Sequence, residues 1–448
     1  MPGQGESVGD FRRLIDHRRL QQEHFLMTLS RSHSFLFRAL FAGITLTTVT
    51  FCHCQAADWM QWRGPNHNNV ADAGQSPVTQ WSRQQNVVWR TEIPGRGHSS
   101  PTIVGDLIVV TSADQASQTQ AIIGIDRSTG ERRWLTPVSQ GGFPKIHPKN
   151  THASATVASD GELFFAVFNH HEQVEAVGVD RSGEIVWKQS VGAFRPQQYR
   201  YGYAASPTVY GDTVIVTGDC DTGAWMKALD TKSGNIRWEQ RRPARLNWAS
   251  PIVAEVAGRE QLLLSGCEMM ASYDPTTGKP LWAVPCLTMA TCGTAVFENG
   301  VVFASGGYPK SETVAIRADG SRKILWSNNV KCYEQSILVH DGHVYAFSDA
   351  GVVYCWNAAN GREMWKYRLR GPVSASPVLV GDTIYAASER GDFFVFKANP
   401  QRFQSVAKNQ LGTESFATPT IVDNLIYIRV ADSSAGQRQE YLYCIGKE

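Results

Sequence analysis

The sequence predicts an all-β fold, an eight-bladed β-propeller, from two recurring patterns and their spacing. A turn with Asp or Asn, Gly and Trp at fixed positions returns along the chain, as in DRSTGERRW (126–134) and DRSGEIVW (180–187). Eight hairpin signatures also occur, each with two short apolar strands around a Gly, Asp or Asn turn. Their starts lie 40 to 54 residues apart. That spacing is typical of propeller blades with four strands each.

The recurring turn predicts how the blades are built and joined. Its Asp or Asn side chain caps the backbone, its Gly supplies a positive φ, and its Trp follows on the next strand. We expect each Trp to wedge between neighbouring sheets as a large packing element. The tryptophans assigned to this structural role are Trp89, Trp134, Trp187, Trp238, Trp282, Trp326 and Trp365. The copy of the turn at Asp319 and Gly320 is weakened.

The two ends of the repeat predict how the ring closes. In the first blade, strands A to D are assigned to PTIV, LIVVTS, AIIGID and RRWLTPV. The last hairpin is followed by only one further strand, QEYLYCIG (439–446), whereas NVVWRTEI (86–93) has no preceding partners. Pairing of this N-terminal strand with the C-terminal strand would complete the eighth blade and leave the ring without open edges.

The N-terminus predicts an export signal. The apolar run at 39–51 follows Arg31 and Arg38 and is too short to span a membrane comfortably. We therefore expect a signal peptide over 1–56 that starts at Met27 or Met1, an extension over 57–85 and the propeller over 86–448. An uncleaved signal anchor is the alternative. Cleavage would leave a mature chain without a transmembrane span. We then expect the protein to be periplasmic or extracellular.

The charge of the chain indicates which partners to expect, and its cysteines indicate which disulfide bridges and metal sites to expect. Removal of residues 1–56 takes away six of the 43 Lys/Arg and four of the 41 Asp/Glu, so both totals become 37. Without a basic surplus, nucleic acid is not an expected partner. Seven cysteines remain, an odd number that argues against a complete disulfide framework but leaves one or two bridges open. Their spacing does not resemble a zinc site.

The repeats resemble those of a known superfamily. KALDTKSGNIRW (227–238) and ASYDPTTGKPLW (271–282) are similar to the tryptophan-docking repeat of quinoprotein-like propellers, named after pyrroloquinoline quinone (PQQ). DWMQWRGPNHNNV (58–70) and KNTHAS (149–154) look similar to secreted bacterial PQQ-repeat proteins. The superfamily includes PQQ-dependent alcohol dehydrogenases and BamB, a non-catalytic propeller that helps assemble outer-membrane barrels. The resemblance covers the predicted mature chain and implies the fold more specifically than the function.

Two long loops predict a ligand site on one face of the propeller. The D-to-A loops at 140–154 and 193–206 are longer than the others and should border the central channel. Aromatic and cationic side chains at this mouth would suit a planar or anionic small ligand. The alternative is that these side chains only fill and solvate the channel. The candidates are His98, Lys145, His147, His152, Arg200, Tyr203, Arg245, Asn247, Trp248, Glu334 and Phe416.

A cofactor site is a further possibility that the resemblance raises. PQQ dehydrogenases typically show a vicinal cysteine pair over the quinone, a Trp floor, and Asp, Glu and Asn groups around calcium. Trp248 is the candidate floor, but no Cys-Cys pair occurs in the sequence. Asp219 and Asp221, placed in a B-to-C loop, are the candidate calcium ligands, with ordinary turn residues as the alternative.

These observations favour a binding or scaffolding module over an enzyme. The blades are complete, the charge is balanced, and the sequence shows no assembled catalytic set. We expect the loop-rich face to bind a protein partner or a small ligand. The alternative is a PQQ- and calcium-dependent oxidoreductase acting on alcohols or sugars.

Overall fold

Eight β-sheets form the blades of a β-propeller in the described part of the chain; each has four antiparallel strands, and one has a fifth strand added in parallel. A computed structural model describes residues 58–447, and no helix occurs within that range. The predicted fold class is therefore confirmed. The predicted signal peptide over 1–56 and Ala57, the first residue of the predicted extension, lie outside the described residues.

The strands follow the predicted order of A, B, C and D within each blade. Two strands precede the first blade, β1 (Val70–Ala71) and β2 (Val87–Ile93). Blade 1 contains β3 (Thr102–Val104), β4 (Leu107–Asp114), β5 (Thr119–Asp126) and β6 (Arg132–Gln140). Blade 2 contains β7 (Ala158–Ser159), β8 (Phe164–His170), β9 (Gln173–Val179) and β10 (Ile185–Ala193). Blade 3 contains β11 (Thr208–Tyr210), β12 (Thr213–Cys220), β13 (Gly223–Asp230) and β14 (Ile236–Arg242).

The remaining blades repeat the pattern. Blade 4 contains β15 (Ile252–Val256), β16 (Arg259–Gly266), β17 (Met269–Tyr273) and β18 (Pro280–Pro285). Blade 5 contains β19 (Val296–Glu298), β20 (Val301–Gly306), β21 (Glu312–Arg317) and β22 (Ile324–Asn328). Blade 6 contains β23 (Leu338–His340), β24 (His343–Phe347), β25 (Val352–Asn357) and β26 (Glu363–Arg368). Blade 7 contains β27 (Val378–Val380), β28 (Thr383–Ala387), β29 (Asp392–Lys397) and β30 (Ser405–Gln410), and blade 8 contains β31 (Thr420–Val422), β32 (Leu425–Asp432) and β33 (Gln439–Ile445).

The ring closes through the two terminal strands, as the sequence predicts. Strand β2 pairs antiparallel with β33 and supplies the D strand of blade 8, with Trp89 opposite Cys444 and Ile93 opposite Glu440. The sequence did not predict β1, which pairs in parallel with β27 and adds a fifth strand to blade 7. The N-terminal residues are thus attached to two different blades.

The position of a strand within its blade explains its burial. B and C strands such as β4 and β5 are buried along nearly their whole length, because both faces pack against neighbouring blades. D strands such as β6 and β14 alternate between exposed and less exposed residues, because they form the outer edge. Adjacent A strands contact one another and therefore surround the central axis.

The recurring turn has the local structure that its residues dictate. In blade 1, the Asp126 carboxylate accepts hydrogen bonds from the backbone N–H groups of Ser128 and Thr129 (2.8 and 2.9 Å). Gly130 has φ of 76° and faces the Trp89 ring, which a Cβ atom at this position would meet at 2.6 Å. Glycine is therefore required twice here, by the left-handed backbone and by the indole packed against it.

The tryptophan contacts run from each blade to the next one. Six of the seven indoles donate from Nε1 to a backbone carbonyl in the following turn: Trp89 to Arg127 (3.0 Å), Trp134 to Arg181 (3.0 Å), Trp187 to Thr231 (2.7 Å), Trp238 to Pro275 (3.2 Å), Trp326 to Ala358 (2.7 Å) and Trp365 to Asn399 (2.8 Å). Each bond joins two blades that pack through apolar side chains. The seventh indole makes a different contact.

Trp282 reaches the next blade through a glutamine. Its Nε1 donates to Oε1 of Gln261 (2.7 Å) on strand β16. Nε2 of Gln261 then donates to the carbonyl of Ala318 in blade 5 (2.9 Å). Blade 5 is also the blade whose copy of the turn is weakened in the sequence. Its turn glycine, Gly320, does not pack on the preceding indole, because no Trp282 atom lies within 4 Å of a Cβ placed on Gly320. The connection between blades 4 and 5 is kept by a two-step relay.

Candidate functional site

A short N-terminal segment closes one end of the central channel. This segment, residues 59–71, is called the plug below. The Trp59 backbone pairs with Ile103 in strand A of blade 1, and Ser159 of blade 2 donates to the Met60 carbonyl (2.8 Å). Opposite blade 1, the Trp62 indole donates to the Thr294 hydroxyl of blade 5 (2.9 Å), and Asn69 donates through Nδ2 to the Pro377 carbonyl of blade 7 (2.6 Å). The plug thus crosses between opposite sides of the ring.

A buried arginine shapes the plug. Arg63 is 1% exposed, and it donates to the carbonyls of His67 (3.0 Å), Asn68 (3.1 Å) and Ile337 (3.0 Å). The first two bonds fold the plug into a compact turn, and the third fixes it to blade 6. Nε and Nη2 meet carbonyl acceptors, which lowers the cost of burying the guanidinium, whereas the buried Nη1 has no partner among the described residues.

Stability should depend on pH through the plug. Burial, with a smaller contribution from Arg63, lowers the pKa of His67 from 6.5 to about 4. Between these values the unfolded chain binds a proton that the folded chain does not, so the free energy of unfolding falls as the pH drops from 6.5 to 4. We expect His67 to account for about 3 kcal/mol of this loss. His67→Asn, which tolerates the positive φ of 53° at this position, should flatten the dependence in urea unfolding between pH 4 and 7.

An unchanged pH dependence in His67→Asn would contradict this assignment. Burial also lowers the pKa of His152 to about 4 and holds that of His98 well below its usual range. The variant should therefore retain part of the wild-type loss, and only the difference between the two curves reports on His67.

A ring of hydroxyl groups lies around the channel next to the plug. One Ser or Thr just ahead of or within each A strand forms this ring, called the collar below: Ser100, Thr156, Ser206, Ser250, Thr294, Ser336, Ser376 and Thr418. Backbone N–H groups of six members each donate to the hydroxyl of the next member at 2.9–3.0 Å. The Thr294 hydroxyl accepts instead from Nε1 of Trp62 in the plug (2.9 Å). The collar joins the blades to one another and to the plug.

Above the collar lies a pocket of about 280 Å³ that opens toward the predicted loop-rich face. Five collar hydroxyls line it, and Trp62 of the plug lines it as well. The other aromatic lining residues are His98, His147, Tyr201, Trp248, Tyr333 and Phe416. Because the plug crosses the channel at one end, the pocket is open at the other end only. Its volume lies just below the usual range for small-molecule sites, about 300–1,000 Å³.

The aromatic walls of the pocket are held in place by stacking and hydrogen bonds. The Trp248 indole donates to the Gly202 carbonyl (2.6 Å), and its ring lies 5.2 Å from that of Tyr201. On another part of the wall, His98 stacks on Phe416 with ring centroids 4.6 Å apart. Burial and the nearby guanidiniums of Arg96 and Arg429 hold the pKa of His98 well below its usual range, so the ring is neutral.

A salt-bridge network crosses the mouth of the pocket. Nζ of Lys149, on the first long loop, lies 3.0 Å from the Glu334 carboxylate and 2.6 Å from that of Glu389. The Ser374 hydroxyl lies within hydrogen-bond distance of both carboxylates, 2.5 Å from Glu334 and 2.6 Å from Glu389. Burial lowers the pKa of Lys149, but the two carboxylates outweigh it and the pKa is raised. Lys149 therefore stays charged, and the two carboxylates more than balance that charge, so the network carries a surplus of one formal negative charge.

Comparison with known proteins assigns this chain to a family. The family model described as outer membrane protein assembly factor BamB matches residues 68–201, 119–367 and 335–433. The chain belongs to this family. The outer membrane protein assembly factor BamB of Burkholderia pseudomallei (strain K96243) is 23% identical over 373 residues, 80% of this chain and 89% of that protein. A polyvinylalcohol dehydrogenase of a Pseudomonas species is 22% identical over 445 residues, 76% of this chain and 68% of the dehydrogenase.

The solved structures that match also include both a BamB protein and alcohol dehydrogenases. BamB from Moraxella catarrhalis matches with a TM-score of 0.58 at 16% identity, over 80% of this chain and 96% of that one. A quinohemoprotein alcohol dehydrogenase from Comamonas testosteroni matches with a TM-score of 0.62 at 12% identity, over 88% and 81%. At such identities the likeness shows the fold alone. The choice between binding and catalysis therefore depends on the pocket of this BamB-family chain.

The structure brings five of the eleven predicted site residues into the pocket. They are His98, His147, Trp248, Glu334 and Phe416. Lys145 and Arg200, both exposed, line a separate cavity of about 70 Å³ between the long loops. His152 and Tyr203 line a narrow space of about 10 Å³ beside it. His152 stacks on Phe143 at 4.1 Å, and the Tyr203 hydroxyl donates to the Thr217 carbonyl (2.8 Å).

Two further candidates lie outside the pocket lining. Arg245 is exposed and lies 3.4 Å from Glu268. Asn247 is buried and donates to the Asp219 carboxylate (3.0 Å) while accepting from the Ala249 N–H (3.0 Å). Of the three predicted residues Arg245, Asn247 and Trp248, only Trp248 lines the pocket.

The predicted calcium ligands are used in other interactions. Asp219 lies in strand β12 rather than in a loop, and it is paired with the buried Arg242 (3.0 Å). Asp221 accepts from the backbone N–H groups of Gln197 and Gln198 (both 2.9 Å). Within residues 58–447, no group of three or more His, Cys, Asp or Glu side chains is arranged to hold a metal. The described residues do not fit the calcium site of a PQQ enzyme.

The pocket does not fit the quinone well either. PQQ carries three carboxylates, whereas the pocket offers one lysine that Glu334 and Glu389 already balance. A bound polyanion would have to break this network or face its carboxylates. Cys292 lines the pocket without a vicinal partner. All seven described cysteines are free, so the bridges that the sequence left open are not formed among them.

Sequence reasoning missed most of the residues that line the pocket, including four with large side chains. Trp62 reaches it from the plug, and Lys149, rather than the predicted Lys145, extends from the first loop. Tyr201 and Tyr333 complete the aromatic wall. A signal for the tyrosines exists, because both lie a few residues ahead of an A strand, as Trp248 does. No local signal identifies Trp62, since its position depends on the path of the plug.

Proposed function

We propose that this BamB-family propeller is a binding module that holds a ligand in its one-ended axial pocket. The observation that supports it is the combination of a closed floor, fixed aromatic walls and a salt-bridge network in which Lys149 is paired with two carboxylates. Such a pocket has shape and hydrogen-bonding groups for recognition. Within the described residues, no group of three or more His, Cys, Asp or Glu side chains is arranged to hold a metal, and Lys149 is paired with Glu334 and Glu389.

We further propose that the protein works outside the cytoplasm, in the periplasm or beyond the cell. Two observations support this proposal, the signal-like N-terminus of the sequence and membership of a family described by an outer-membrane assembly factor. No helix among residues 58–447 is both long and apolar enough to cross a membrane. A protein partner at the loop-rich face would meet the two long loops first, and then the Lys149 network.

Filling the pocket tests the binding function. Ala204 lines the pocket and is half-buried, so Ala204→Phe should occupy part of the ligand space without adding charge. Ala116→Phe adds the same ring at an exposed turn of blade 1 and serves as the matched control. Ligand-observed NMR with a mixture of neutral, cationic and anionic small molecules should detect binding to the wild type and to the control. Binding to Ala204→Phe should be lost.

Two results would overturn the proposal. Equal binding to the wild type and Ala204→Phe would place recognition elsewhere, and an absence of binding to the wild type would remove the pocket as a site. Titration with PQQ in the presence and absence of calcium covers the oxidoreductase alternative. Calcium-dependent binding together with turnover of an alcohol by an artificial electron acceptor would replace the binding module with a dehydrogenase.

A further inference from the structure

The hydroxyl groups at the base of the pocket are oriented by the bonds they already make. Oxygen atoms of Thr156, Ser206 and Ser250 accept from backbone N–H groups at 2.9–3.0 Å. Thr418 accepts in the same way (2.9 Å), and Thr294 accepts from the Trp62 indole (2.9 Å). Each of these oxygens is thus used as an acceptor, which leaves its O–H proton available. The base of the pocket presents a set of five hydroxyl donors.

A neutral histidine adds another polar group to the wall. His98 lines the pocket, and its buried Nε2 has no hydrogen-bond partner among the described residues. A buried polar atom without a partner is costly, so a ligand that supplies one would gain from pairing with it. Because the ring is neutral, His98 can pair with a ligand hydroxyl without adding charge.

The polar groups of the pocket disfavour charged ligands. An anion would meet the carboxylates of Glu334 and Glu389, which Lys149 balances only in part. A cation would leave the O–H donors at the base of the pocket without acceptors. A wholly apolar ligand would leave the hydroxyl donors and His98 without partners. The remaining class is a neutral molecule rich in oxygen acceptors.

We infer that the pocket takes the terminal ring of a neutral saccharide, an inference that rests on the proposed binding function. Sugar oxygens would accept from the collar, while the C–H faces of the ring would pack on Trp248, Tyr201 and Phe416. The plug closes the floor, so a longer chain can enter only by its end. The volume of about 280 Å³ suits one or two sugar rings rather than a segment passing through the channel.

A panel of matched small molecules tests the ligand class. Isothermal titration would compare glucose, N-acetylglucosamine, cellobiose and maltose with gluconate, choline and cyclohexanol. At least one neutral sugar should bind, and the other three probes should bind at least about tenfold more weakly, a difference of one good hydrogen bond or more. Ala204→Phe should abolish the sugar signal.

Two histidine variants test the role assigned to His98. His98→Phe keeps a flat ring on Phe416 and removes Nε2, so sugar affinity should fall about tenfold. His152→Phe makes the same change at a histidine that stacks on Phe143 outside the pocket, and sugar affinity should be unchanged. Equal effects of the two variants would overturn the role of His98.

The outcome separates failure of the inference from failure of the proposed function. If only gluconate, choline or cyclohexanol binds, and Ala204→Phe blocks it, the pocket binds ligands but the saccharide inference is wrong. If Ala204→Phe blocks nothing that binds, or nothing binds at all, the inference and the proposed function both fail.

Discussion

Trp282→Ala should lower the free energy of unfolding by about 3–5 kcal/mol, the range for large aromatic side chains removed from a core. Trp282 is 2% exposed and packs among apolar residues of blades 4 and 5. Its removal leaves a cavity between the blades and also deprives Gln261 of a donor to its Oε1. Urea unfolding followed by far-ultraviolet circular dichroism would measure the loss.

Trp238→Ala is the matched comparison for this prediction. Trp238 occupies the same position in blade 3 but is only half-buried, and it donates directly to the Pro275 carbonyl at 3.2 Å. We expect a smaller loss than for Trp282→Ala, because less apolar area becomes exposed. A loss under about 1 kcal/mol for Trp282→Ala would contradict the view that these indoles join the blades.

The fold was predictable because its information is local and repeated. The turn at Asp126 and Gly130 is specified by residues within a few positions of one another, and the Trp89 contact then links one copy to the next. Ring closure was predictable for the same reason, since β33 lacked a partner and β2 was a strand without a blade. The relay through Gln261 was not predictable, because a glutamine within a strand has no turn pattern around it.

The site was predictable only where it follows the blade pattern. Residues ahead of an A strand were expected at the channel, and His98, Trp248, Glu334 and Phe416 do line the pocket. The choice between Lys145 and Lys149 depends on the path of a long loop, which is fixed by tertiary contacts such as Asn150 Nδ2 to the Tyr201 carbonyl (2.7 Å). The plug depends on bonds to residues hundreds of positions away, such as Arg63 to Ile337.

The extension also supplies the tryptophan that blade 7 lacks. In the seven other D strands the residue after the bulge is Trp, as with Trp365 opposite Cys355, but in blade 7 Ala407 lies opposite Val395. Trp81 packs beside this position. Its ring lies 6.4 Å from Tyr385 on strand B of blade 7, much as the ring of Trp365 lies 6.2 Å from Tyr345 in blade 6.

Trp81→Ala should therefore lower the free energy of unfolding by about 3–5 kcal/mol, although Trp81 belongs to no blade strand. Trp81 is 4% exposed and contacts both Tyr385 and Phe393, so its loss opens a cavity in the core shared by blades 7, 8 and 1. Its Nε1 makes no hydrogen bond within the described residues, so the loss should come from packing alone.

Two further variants test whether Trp81 replaces the missing blade residue. Trp81→Phe should recover most of the stability in urea unfolding, because no hydrogen bond of the indole is lost and much of the ring area is kept. Adding Ala407→Trp to Trp81→Ala should also recover part of it, since the new indole would fill the same space from the D strand. A small loss in Trp81→Ala, or a double variant no more stable than the single one, would show that this part of the extension lies on blade 7 without completing it.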